Sequence, residues 1–303
     1  MSSEHGSSAK AILYAFLANL GIAITKSGAA FYTNSGSMLA EAIHSYADCV
    51  NQVLLYLGLK QGDRPPTAEH PLGFGEVTYF WSFVVALLLF SMGGLFSIYE
   101  GWHKLHNPEP LRKVWIALTV LGVAIVLESS SLTGCLHEIR KLRRGRSFGD
   151  WLRNTRNAEL VVVLGEDIAA LAGLVIAFGF LSLAARTGDT RYDALGSIAI
   201  GVVLIAVAMF IAARIRTLLI GKSAEPALAR ALDELISSDP VIEKLLNTIT
   251  LQMGPKVLLA AKVKMRSGLT IDEAVAHLNA LERRIKEAWP EVGWCFVEPD
   301  VSD

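Results

Sequence analysis

Six apolar runs, each long enough to cross a bilayer, dominate this chain and leave few folds open to it. They fall at roughly 11–33, 36–59, 77–101, 113–136, 159–185 and 193–215, and a helical crossing takes about 20 residues. In lipid the backbone must satisfy its own hydrogen bonds, so such runs fold as helices. The composition agrees: 52% of the residues are hydrophobic and 19% charged, where a soluble domain carries about 25% charge. The opening "MSSEHGSSAK" lacks the basic start and small-residue cleavage site of a signal peptide. The first run is therefore expected to stay as a span. The expectation is an α-helical membrane protein with six transmembrane helices over residues 1–222.

After residue 222 the pattern changes. "SAEPALARALDELISSDP" has helical apolar spacing with mixed charge, and "TITLQMGPKVLLAAKVKM" reads as two strands around a Gly254-Pro255 turn. In the second strand Leu259, Ala261, Val263 and Met265 alternate with residues that include Lys262 and Lys264. A helix follows, opened by a capping box from Thr270 to Glu273, and "GWCFVEPD" reads as a last strand. Residues 223–303 are thus expected to form a small α+β domain in the order αββαβ.

Charge placement sets the orientation. Arg140, Lys141, Arg143, Arg144, Arg146, Arg153 and Arg156 crowd the link between the fourth and fifth runs. Arg214 and Arg216 end the sixth, while the link "YTNSGS" between the first two has no charge. Basic loops stay on the inner side, so both termini are expected to be cytoplasmic or on an equivalent inner face. Lys104, Arg112 and Lys113 dissent on the outer side. The membrane is expected to be a cell (inner) membrane, with an organelle membrane as the alternative. The net charge of −1 gives no nucleic-acid signal. Cys49, Cys135 and Cys295 form no CxxC pair and no disulfide framework.

Within the second run lies "EAIHSYADCVNQ". On a helix Glu41, His44 and Asp48 share one face, and Asn51 extends the row. Intramembrane ionisable groups are expensive and usually mark a pathway. A His-xxx-Asp pair can give a divalent ion two ligands, with two more needed elsewhere for a tetrahedral site. A buried ion pair, or a polar row holding helices together, is the plainer alternative. The fifth run supplies adjacent acids, Glu166 and Asp167, which point about 100° apart on a helix. Asn19, Lys26, Glu128 and Ser129–Ser131 also interrupt apolar runs and read as structural, with Lys26 pairing with an acid or snorkelling. The glycines of "SMGGLFSIYEG" read as points of close helix approach. No HExxH pair supports a membrane metalloenzyme, so no enzymatic activity is expected.

Several segments in order, "SGSMLAEAIHSYADCVNQ", "HPLGFG", "YEGWHKLHNPEPL", "YDALGSIAIG" and "VEPD", resemble the cation diffusion facilitator family over nearly the whole chain. The resemblance implies a homodimer that exports divalent cations, usually zinc, in exchange for protons, with a ferredoxin-like soluble tail. It implies a metal site between the second and fifth spans. His44 and Asp48 match the second-span pair. Where the family has a second His-xxx-Asp, this chain has Glu166-Asp167, as a divergent branch would, and Asp167 is the preferred match. An oxygen-richer site admits manganese, iron or cobalt beside zinc. No cofactor beyond the transported ion is implied. The alternative is a non-transporting dimeric partner that keeps the fold. His70 in the loop before the third span and His277, Glu298 and Asp300 in the tail are too sparse for further metal sites.

Overall fold

The computed structural model describes residues 2–143 and 145–302, with side chains described at residue 16 and from residue 19 onward within those ranges. Arg144 of the basic link therefore lies outside the described residues. The chain divides into two compact units. The first, residues 1–58, 81–145 and 159–215, is helical. The second, residues 59–80, 146–158 and 216–303, contains a small sheet.

The helices follow the apolar runs. They are α1 (Ser2–Thr33), α2 (Gly36–Gly62), α3 (Val77–Leu88), α4 (Phe96–His106), α5 (Val114–Leu142), α6 (Phe148–Asn154), α7 (Ala158–Thr187) and α8 (Arg191–Ile220). A π-helical segment, Leu89–Leu95, joins α3 to α4 into one rod. Among the described residues, four helices are long and apolar enough to cross a membrane: Val77–His106, Val114–Leu142, Ala158–Thr187 and Arg191–Ile220. α1 and α2 cover the first two predicted runs with 32 and 27 residues. Most helices overrun the predicted spans by a turn, because polar ends such as Lys104–His106 and Arg140–Lys141 still propagate a helix already nucleated. The π segment and the short α6 were not legible in the apolar pattern.

The helical unit has an outside suited to lipid. Phe31, Trp115, Val126, Val202 and Met209 are exposed, while Lys26, Glu41, His44 and Asn51 are wholly buried. Its interior is tightened by glycine. A Cβ on Gly201 would lie 2.6 Å from the Gly94 carbonyl, and one on Gly101 would lie 2.6 Å from that of Ala194. The rod of π segment and α4 thus meets α8 backbone to backbone, as small residues permit in membrane helices. At the N-terminus of α2 the buried Asp193 caps the helix. Its carboxylate accepts from Gly36 N at 2.6 Å, Ser35 Oγ at 2.7 Å and Ser37 N at 3.3 Å. An anion there meets both the orphan amides and the helix dipole.

In the second unit α8 runs out into a linker stitched to the sheet. Gln252 N donates to Lys222 O at 2.8 Å, and Arg156 donates to Ser223 O and Ala224 O. Arg146 pairs with Glu225 at 3.0 Å. Two arginines of the basic link thus also hold structure. The tail continues as α9 (Pro226–Ser237), β1 (Ile242–Met253), β2 (Lys256–Met265), α10 (Ile271–Ala288) and β3 (Val292–Pro299), the expected αββαβ order. The sheet order is β1-β2-β3, with β1 and β2 antiparallel and β2 and β3 parallel. Gly254, at φ +62°, opens the two-residue hairpin, where a positive φ favours glycine. Its carbonyl accepts from Tyr79 Oη at 3.2 Å, so the first turn of α3 is pinned on this turn. Leu259, Ala261 and Val263 alternate into a core with Leu232, Ile236, Leu281, Ile285 and Val292, as the period of two predicts. The Thr270–Glu273 capping box is present. Cys295 sits in this core, and burial pushes its thiol up to about 11, so it stays protonated.

Candidate functional site

The polar face of α2 turns into the helical unit. Lys26 Nζ of α1 donates to Glu41 Oε2 at 3.1 Å and to Ser45 Oγ at 2.8 Å. Lys26 therefore pairs with an acid, one of the two roles its sequence allows. Glu41 lies against α7 at Gly173, where a Cβ would fall 2.4 Å from Glu41 Oε1. One step on, Asn51 Nδ2 donates to Glu166 Oε1 of α7 at 2.7 Å. The row Glu41–His44–Asp48–Asn51 is thus a seam between α2 and α7, as its helical spacing requires.

Beside this seam is a cavity of ≈ 310 Å³. Its carboxylates are Asp48 from α2, Glu128 from α5, and both Glu166 and Asp167 from α7. Asn19, Gln52, Ser45 and Ser131 add amide and hydroxyl groups. Asp167 Oδ1 accepts from Ser131 Oγ at 3.2 Å, while Asp167 Oδ2 and Asp48 Oδ1 are buried without a partner. Such atoms are rare in folded proteins, and each costs about 1–3 kcal/mol unless something else satisfies it.

His44 stands off this lining. It is wholly buried, its Nδ1 is 3.7 Å from Asp48 Oδ1, and neither ring nitrogen has a hydrogen-bond partner. Its ring faces the π segment, where a Cβ on Gly93 would lie 3.8 Å from Nδ1. Of the four residues predicted for a metal, Asp48, Glu166 and Asp167 meet in one cavity and His44 abuts it through Asp48. Among the described residues no three His, Cys, Asp or Glu side chains are gathered as around a bound ion.

Sequence reasoning named Glu128 and Asn19 but read them as structural, and it passed over Gln52. The signal for Gln52 was available, since it lies four residues after Asp48 and so on the same helical face. The outlying histidines form no site: His70 stacks on Phe74 with centroids 4.5 Å apart, and His277 is exposed. Asp300 is held by Lys262 at 2.9 Å, and that hydrogen bond keeps its carboxyl below the usual range.

An acid-lined cavity inside an apolar helical unit is what a cation-transporting membrane protein requires. Residues 12–220 match the family model described as the cation efflux transmembrane domain. The chain belongs to the cation efflux family, the cation diffusion facilitators. It is 36% identical over 255 residues to the mitochondrial proton-coupled zinc antiporter SLC30A9 of Xenopus laevis, covering 84% of this chain and 45% of that protein. It is 29% identical over 287 residues to metal tolerance protein C4 of Arabidopsis thaliana, covering 94% and 62%. It is 24% identical over 260 residues to the cation-efflux pump FieF of Serratia proteamaculans (strain 568), covering 86% and 82%. The chain spans about half the length of the SLC30A9 proteins it matches.

Proposed function

We propose that the chain is a six-span secondary transporter that exports a divalent metal cation, zinc first, from the inner compartment in exchange for protons. Residues 1–222 form its transport domain and 223–303 a cytoplasmic ferredoxin-like domain. Two copies make the working unit, with both termini on the inner face of a bacterial inner membrane or an organelle membrane. The single observation that carries this is the convergence of Asp48, Glu166 and Asp167 on one cavity in a chain of the cation efflux family. His44 joins them as the ion is bound.

The chemistry follows from the groups. Carboxylates must be ionised and imidazole neutral to hold a metal, so proton and metal compete for the same atoms. Protons arriving from the outer side release the ion there, and their loss to the inner side restores affinity. Rocking of the helices about the cavity exposes it to each side in turn. Names of relatives support the direction, since one is a proton-coupled zinc antiporter and another a cation-efflux pump.

The test is flux in liposomes that carry a metal-sensitive dye and a pH dye. Wild type should move zinc against a proton gradient, and Asp48→Ala and Asp167→Ala should not. Flux that survives Asp167→Ala but not Asp48→Ala would leave Glu166 as the ligand from α7. Folded protein that moves no metal would be a non-transporting partner that keeps the fold.

A further inference from the structure

We infer that Glu128 of α5 is a ligand of the transported ion, and that the site it completes takes manganese as well as zinc. This rests on the transport reading above and adds a third helix to the site. The buried residues of α5 are Ala117, Leu121, Ala124, Cys135 and Ile139. They form one inward row at steps of three and four residues. Two positions are missing from that row, 128 and 131, and both line the cavity. The face of α5 that elsewhere packs against the bundle opens at Glu128 and Ser131. Ser131 is accounted for by its hydrogen bond to Asp167. Among the described residues Glu128 has no hydrogen-bond or ion-pair partner.

A carboxylate placed there to hold helices together would have a partner. Glu128 instead faces Asp48, Glu166 and Asp167 across the cavity, where Asp48 Oδ1 and Asp167 Oδ2 are also unmatched. A divalent cation satisfies all three. The donors lining the cavity are mostly oxygen. Carboxylates, the amides of Asn19 and Gln52 and the hydroxyls of Ser45 and Ser131 line the cavity, and these oxygen donors outnumber the single imidazole of His44 that abuts it through Asp48. Oxygen ligands suit manganese, whereas imidazole suits zinc. The family pattern has a histidine in the fifth span, but this chain has Glu166-Asp167 there, and Glu128 adds a further oxygen donor beside them.

The experiment uses the full chain in detergent and in liposomes, with Mn²⁺ and Zn²⁺ as separate probes. Mn²⁺ binding is read by loss of the free-ion electron paramagnetic resonance signal, and transport by the KM for each metal. Glu128→Gln should weaken Mn²⁺ binding and raise its KM roughly 10–100-fold, with a smaller change for Zn²⁺. Glu128→Asp should recover part of the loss, and Glu128→His should shift the preference toward Zn²⁺. A merely structural Glu128 would lower the unfolding midpoint and leave both KM values and the metal preference unchanged, which overturns the assignment. Wild type that binds no Mn²⁺ overturns it too. Wild type that binds Mn²⁺ but carries no metal sinks the transport reading alone, and the resonance comparison of Glu128→Gln then decides the ligand. If Glu128→Gln fails to fold, Glu128→Asp and Glu128→His carry the same comparison.

Discussion

In the tail, residues 223–303, the two most buried polar residues are matched: Gln252 donates to Gly254 O at 2.8 Å, and Thr250 meets Ser223 Oγ at 2.6 Å and Ala224 N at 3.2 Å, while Asp233 Oδ1 and Thr248 Oγ1 are buried without a partner. In the helical unit Glu41, His44, Asp48, Asn51 and Asp167 each keep a buried atom without a partner. The two units are made from one chain, yet the unmatched atoms of the tail fall singly on α9 and β1, whereas those of the helical unit gather on α2 and α7. A tail whose task is to fold matches the polar groups it buries most deeply. A membrane unit that binds and releases a cation, as proposed here, would leave a cluster of them poised, since ligands spent on permanent hydrogen bonds cannot turn over. A cluster of unmatched polar atoms, more than burial or charge alone, therefore marks the candidate site here.

The largest effect that sharpens this contrast is at Asp48. Asp48→Asn keeps the shape and removes the charge. Metal flux should fall about 100-fold, while the unfolding midpoint in detergent should hold or rise, because a buried carboxylate with an unmatched oxygen costs stability. Flux lost together with stability would break the contrast and make Asp48 a structural group.

Next in size is the fully buried Lys26–Glu41 ion pair, at 3.1 Å. Lys26→Met strands the Glu41 carboxylate and should cost about 3–5 kcal/mol. The double variant Lys26→Met, Glu41→Gln should regain most of it, because two neutral groups can share the site. Chemical unfolding of all three variants gives the coupling. A double variant no more stable than the single one would show that the pair is valued for its charge, as the cavity groups are.

These two sites differ in how far the sequence reveals them. The Glu41–His44–Asp48–Asn51 row was legible because helical spacing fixes a face without tertiary knowledge, and an apolar run makes every polar residue conspicuous. The tail was legible for the same reason: Leu259, Ala261 and Val263 alternate, and the Thr270–Glu273 box marks a helix start. What escaped needed a third dimension. Glu128 is one acid in the apolar stretch of α5, and its place in the cavity shows only when α5 turns it toward Asp48 and Asp167. Asp193 caps a helix that lies more than 150 residues upstream in sequence, so no local pattern could give its partner. The π segment arises where Gly93 and Gly94 pack against α8, and packing of that kind leaves no period to read.

The tail offers the matching control. Ile285 is wholly buried in its core. Ile285→Ala should cost about 3 kcal/mol of tail stability, read as faster hydrogen exchange through β2 in the full chain. The KM for metal should stay at its wild-type value. A shifted KM would mean that the tail tunes the cavity, and the two units could no longer be treated as separate in task.

The smallest effect tests matching at a single helix end. Glu273 accepts from Thr270 N at 2.8 Å, and Thr270 Oγ1 accepts from Glu273 N at 3.3 Å. The backbone hydrogen bond, with the Thr270 hydroxyl next, holds the Glu273 carboxyl below its ordinary 4.5. A depressed folded pKa means that the stabilisation is fully present above pH 4.5 and is lost as the pH falls through the lower, folded value. Exchange protection in the first turn of α10 should therefore decline as the pH drops below 4.5, without a shift of the global midpoint. Glu273→Gln should have less protection at neutral pH and no decline of its own in that window, which separates Glu273 from the neighbouring Asp272. An equal decline in both proteins would assign the titration elsewhere. A decline in wild type alone would show that this capping box responds to pH only locally, whereas the cavity's unmatched groups are proposed to respond through the ion they bind.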